Sequence, residues 1–82
     1  MDSRQTIVRA DPDPRIARIV RHYRTHAGLT RDQLAKAANC SVWTLVKIEN
    51  GSRGVGTSML GRLGQVLGPE FARRMLAVLA EG

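Results

Sequence analysis

The stretch Leu29 to Gly51, LTRDQLAKAANCSVWTLVKIENG, decides how the rest of the chain is read. Two short helices joined by a tight turn account for it. Thr30 is of the type that caps a helix N-terminus, and Leu34, Ala35 and Ala38 then share one face at helical spacing. The spacing predicts a helix from about Arg31 to Ala38. A second helix, from about Val42 to Glu49, starts behind the capping residue Ser41, turns Leu45 and Ile48 inward and stops at Asn50-Gly51. The turn between them, Asn39-Cys40-Ser41, calls for a residue with positive φ. Asn39 holds that place, and Asn tolerates the left-handed region better than most residues.

Upstream, Asp13 reads as an N-cap with Pro14 at the first helical position. Ile16, Ile19, Val20, Tyr23 and Ala27 then recur on one face, and Gly28 ends the helix. Residues 1–13 read as a flexible N-terminal arm, because Asp11-Pro12-Asp13-Pro14 blocks regular structure. Downstream of Gly51 comes the glycine-rich loop GSRGVG, which lacks the Lys-Ser/Thr of a nucleotide-binding loop. A fourth helix is expected from about Thr57 to Leu67, with Leu60, Leu63 and Leu67 inward and with Gly61 and Gly64 available for close packing. Gly68-Pro69 breaks the chain, and a fifth helix follows over 69–80. The chain therefore reads as an all-α, five-helix domain over residues 14–82.

Eighty-two residues make one small domain. A chain of this size buries only about 60–65% of its unfolded surface, so oligomerisation is a reasonable expectation. No window is long or apolar enough to span a bilayer, and the N-terminus lacks the apolar core of a secretory signal. These features predict a cytoplasmic protein. The single cysteine, Cys40, excludes an internal disulfide and reads as a small buried side chain. His22 and His26 have metal-ligand spacing on a helix, but no Glu or Cys completes a site, so exposed histidines are expected and no metal or cofactor. Nothing pairs a nucleophile with a base, which excludes the common hydrolytic classes and points away from an enzyme.

Two short helices about a tight turn are the layout of a helix-turn-helix, whose second helix enters the DNA major groove. The charge fits such a partner. The chain carries +6, and residues 15–53 hold eight bases against two acids, so the whole excess lies there. A localised basic surface is the footprint of a polyanion partner. The outward face of the second helix of the pair carries residues 42, 43, 46, 47 and 50. Three of these, Val42, Trp43 and Val46, are apolar. Either this face meets DNA, with the valines against thymine methyl groups and Lys47 toward guanine, or the helix is rotated and Trp43 is core.

From about Ile16 to Gly68 the chain resembles the Cro/cI-type (lambda-repressor-like, XRE) helix-turn-helix family. The resemblance rests on GLT before the second helix, DQLA within it, KIENGSR at the end of the third, and LGQVLG in the fourth. It implies operator binding, usually as a two-fold dimer. It places Arg31, Ser41, Asn50 and Arg53 on phosphates, and Val42, Trp43 and Lys47 toward base edges. It implies a structural ion pair between Arg24 and Glu49. The chain departs from the family where Val42-Trp43 replaces the usual polar readers.

The fifth helix carries Phe71, Met75, Leu76 and Leu79 on a broad apolar face. It serves either to close the core or as a homodimer interface, and the second is the expectation for a chain this small. The function expected is thus a homodimeric, sequence-specific transcriptional regulator acting as a repressor on a palindromic operator. The alternatives are the antitoxin half of a toxin–antitoxin pair, which would bind a small protein partner, and a restriction–modification controller.

Overall fold

The computed structural model describes residues 12–81, and the arm expected over residues 1–13 lies almost wholly outside them. Five α-helices follow one another: α1 (Pro14–His26), α2 (Arg31–Ala37), α3 (Val42–Glu49), α4 (Thr57–Leu67) and α5 (Pro69–Glu81). The described residues contain no strand. The helix ends fall within one residue of those the sequence predicts.

Each junction has a local cause. The Asp13 side chain accepts from Arg15 N at 2.8 Å and sets the first turn of α1. At α2 the cap is reciprocal. Thr30 Oγ1 accepts from Gln33 N at 3.1 Å, while Thr30 N donates to Gln33 Oε1 at 2.8 Å. Gln33 thus adds a second half to the cap expected from Thr30 alone. Asn39 takes φ 57° between α2 and α3, the conformation the turn demands. Gly68, at φ 102°, turns the chain sharply from α4 into α5.

Val20, Leu34, Leu45, Val55, Leu63, Phe71 and Met75 are fully buried and form the centre of one shared core. Val55 has no signature in the sequence pattern. It sits alone between glycines, without the periodicity that marks a core residue in a helix, yet the loop folds inward and buries it. Tyr23 and Phe71 meet edge to face at 5.7 Å and join α1 to α5. Gly64 lies opposite Ala72 on α5, where an added Cβ would sit 3.5 Å from the Ala72 Cβ. Gly61 meets nothing, so packing gives no reason for it.

The α5 stripe divides. Phe71 and Met75 are wholly inside the chain's own core, which removes both from a dimer surface. The core needs a fifth apolar helix to cover α1 and α4, and that need takes the most apolar side of α5. Leu79 is half-buried against the core, and Leu76 is 49% exposed.

Candidate nucleic-acid interface

α2 and α3 pack against each other through Leu34, Ala35, Ala38, Leu45 and Ile48. On α3, residues 45, 48 and 49 face inward. Helical geometry then turns Trp43, Lys47 and Asn50 outward as one stripe. Trp43 is 69% exposed, and Lys47 and Asn50 are exposed as well. The rotated alternative, with Trp43 in the core, is therefore excluded. Val42 and Val46 are half-buried flanks of the stripe, and Val42 packs against the core.

Ser41 Oγ accepts from Thr44 N at 3.1 Å and so caps α3. Its neighbourhood presents the first turn of α3 to solvent. At the other end, Asn50 Oδ1 accepts from Ser52 N at 3.0 Å and from the Ser52 hydroxyl. This local turn holds the loop after α3 and leaves the Asn50 amide donors without a partner among the described residues. Arg53 is exposed, and neither it nor the Lys47 ammonium has a hydrogen-bond or ion-pair partner among the described residues. Four outward donors thus surround an apolar indole: Ser41 before α3, Lys47 on it, Asn50 and Arg53 after it.

Behind this face lies a buried charge. Glu49 is 4% exposed, and three arginines converge on it. Arg24 is bidentate, with Nε to Oε2 at 2.7 Å and Nη2 to Oε1 at 3.0 Å. Its remaining Nη1 donates to the Leu29 carbonyl at 2.9 Å. Arg31 Nε donates to Glu49 Oε1 at 3.1 Å, and Arg21 Nε stands 3.8 Å from the same oxygen. Burial alone would push the Glu49 carboxyl up. The hydrogen bonds and charges of Arg24 and Arg31 outweigh it and hold the carboxyl below its ordinary value. The sequence reading assigns neither Arg31 nor Arg21 to this carboxylate. The signal available was the surplus of bases on α1 and α2 over acids.

His22 and His26 are exposed, with ring centroids 4.2 Å apart. No group of three metal-ligating side chains forms among the described residues. Cys40 is half-buried, and burial pushes its thiol up, away from thiolate reactivity. No helix of the described residues is long and apolar enough to cross a membrane.

Residues 15–79 match the helix-turn-helix domain family. No curated protein matches the chain. Among solved structures, it is similar to the restriction-modification controller protein C.AhdI from Aeromonas hydrophila, with a TM-score of 0.66 at 23% identity over 72% of this chain and 92% of that one. It is also similar to the clp gene regulator ClgR from Corynebacterium glutamicum, with a TM-score of 0.63 at 26% identity over 87% of this chain and 84% of that one. With its two-helix unit at α2 and α3 and an exposed indole set among outward donors, the chain belongs to the helix-turn-helix domain family and has the fold of its DNA-binding regulators.

Proposed function

We propose that this protein is a sequence-specific transcriptional regulator of the Cro/cI type, acting as a repressor on a palindromic operator as a homodimer. The observation that carries the reading is the outward stripe of Trp43, Lys47 and Asn50 on α3, bracketed by Ser41 and Arg53 within the half of the chain that holds all the excess positive charge. The exposed indole, flanked by the half-buried Val42 and Val46, gives α3 an apolar patch that fits a contact surface.

In this reading α3 lies in the major groove. Trp43 and the exposed parts of Val42 and Val46 meet thymine methyl groups, and Lys47 reaches a guanine edge. Ser41, Asn50, Arg53 and Arg31 donate to phosphates and fix the register. With one long polar reader on the stripe, much of the sequence preference falls to DNA shape and to the pairing of two half-sites. Two copies would place their α3 helices about 34 Å apart, one turn of the duplex. The surface for that pairing is the outer side of α5 at Leu76, with Leu79 at its edge.

Selection of bound sequences from a random DNA pool tests the function. Enrichment of a palindrome with half-sites one helical turn apart supports it, and a pool that stays random contradicts sequence-specific regulation. Sedimentation of Leu76→Asp tests the pairing. Dissociation to monomers is expected, and a dimer unchanged by that charge would move the interface elsewhere.

A further inference from the structure

Glu49 gathers more positive charge than its burial requires. Arg24 alone supplies two hydrogen bonds and a full counter-charge. Arg31 adds a third bond through Nε, and Arg21 Nε stands 3.8 Å from the same Oε1. One carboxylate among three guanidiniums leaves a net charge of +2. The Glu49 side chain is 0% exposed, while those of Arg21 and Arg31 are 58% and 41% exposed. The carboxylate engages both on the Nε edge. The terminal Nη atoms of Arg31 and of Arg21 have no hydrogen-bond partner among the described residues.

Two long, flexible side chains are thus drawn together over a fixed buried charge, with their outer donors turned to solvent. Holding them there reduces the rotamer freedom that a binding event would otherwise have to remove. Planar guanidiniums match the tetrahedral oxygens of a phosphate in paired donor geometry. The site joins the middle of α1, the first residue of α2 and the last residue of α3, and it adjoins the exposed Asn50.

We propose that Arg21 and Arg31, aligned by the buried carboxylate of Glu49, form a two-guanidinium site for a single phosphate of the DNA backbone, with Glu49 as its positioning residue. The inference rests on the DNA-binding reading above and adds Arg21 and the shared anchor to it. Arg24 serves the fold and contributes no phosphate contact.

The test is a salt titration of binding to a fluorescent random-sequence duplex. Removing one phosphate contact reduces the steepness of log K against log salt by about 0.9. Arg21→Ala and Arg31→Ala each reduce it by about that amount, whereas Arg18→Ala, an exposed guanidinium on the same helix but outside the cluster, leaves it unchanged. The double variant loses clearly less than twice the single loss, because both side chains hold one phosphate. In a Glu49→Gln background the two losses become smaller and additive. Arg31→Gln, which keeps a donor toward Glu49, stands in if Arg31→Ala does not fold, and it shows the same loss of slope.

Variants that match Arg18→Ala overturn the site. A double variant equal to the full sum overturns the shared phosphate, and non-additivity that persists with Glu49→Gln removes Glu49 from it. Wild-type protein with no salt-dependent binding would instead undo the DNA-binding reading itself.

Discussion

The two ends of α3 differ in almost every physical respect. At its last residue, Glu49 is buried, charged and saturated by guanidiniums from two other helices. At its second residue, Trp43 is exposed and apolar, and its indole N–H has no partner among the described residues. Less than two helical turns separate an internal anchor from an external face. The first fixes the second. A helix turns by about 100° per residue, so locking Leu45, Ile48 and Glu49 inward leaves Trp43, Lys47 and Asn50 nowhere to go but outward. Rotational precision of the outward face comes from the buried end.

The largest expected effect separates the two ends outright. Glu49→Ala leaves the largely buried Arg24 without its counter-charge, and should cost about 3–5 kcal/mol of stability in thermal or denaturant melts. A loss near that of an exposed surface substitution would show that the ring of arginines does not anchor α3. Acid probes the same group without mutation. Its carboxyl titrates lower in the folded chain than in the unfolded one, so the folded state binds fewer protons. Stability from Glu49 is therefore full above the ordinary glutamate value of about 4.5 and is lost as pH falls through the depressed folded value. Asp13, held low by its hydrogen bonds from Arg15, loses stability in the same direction. Melts of Glu49→Gln against wild type from neutral pH downward isolate the Glu49 part, and the variant should lose less on acidification.

Trp43→Ala acts at the other end. Truncating an aromatic anchor at a binding surface should weaken operator binding by about 2 kcal/mol, while the melting curve moves by no more than about 0.5 kcal/mol. A large loss of stability would place Trp43 among the structural residues. Ser41→Ala is the smallest of these changes. It removes the α3 cap and should cost about 1 kcal/mol in the melt. If it weakens DNA binding as well, by more than the melt accounts for, its hydroxyl also meets a phosphate.

The scaffold was open to a reader of the sequence for a physical reason. Its elements are short, local and punctuated: Asp13, Thr30 and Ser41 cap, Asn39 and Gly68 turn, and leucines recur at helical spacing. Each of these signals lies within a few residues of the structure it causes. The parts that were not legible depend on residues distant in the chain. Val55 is core because the helices close over its loop, not because of its neighbours. Arg31 meets Glu49 across 18 residues, and periodicity carries no information about such pairs. Phe71 and Met75 looked available for a partner because one apolar stripe cannot say whether it covers its own core or another chain. The number of helices that the core needs decides that, and only the folded arrangement shows it. The candidate DNA face lies between these cases. Helical phase predicts its stripe, but placing Trp43 outside required knowing that Glu49 turns in.

The most direct measurement is chemical-shift mapping of isotope-labelled protein during titration with duplex DNA from the sequence selection. The Trp43 indole N–H and the backbone amides of Ser41, Lys47, Asn50 and Arg53 should shift together, while those of Leu76 and its neighbours on the outer side of α5 stay fixed at constant oligomeric state. Shifts confined to α5, with the Trp43 indole unmoved, would contradict a DNA face on α3.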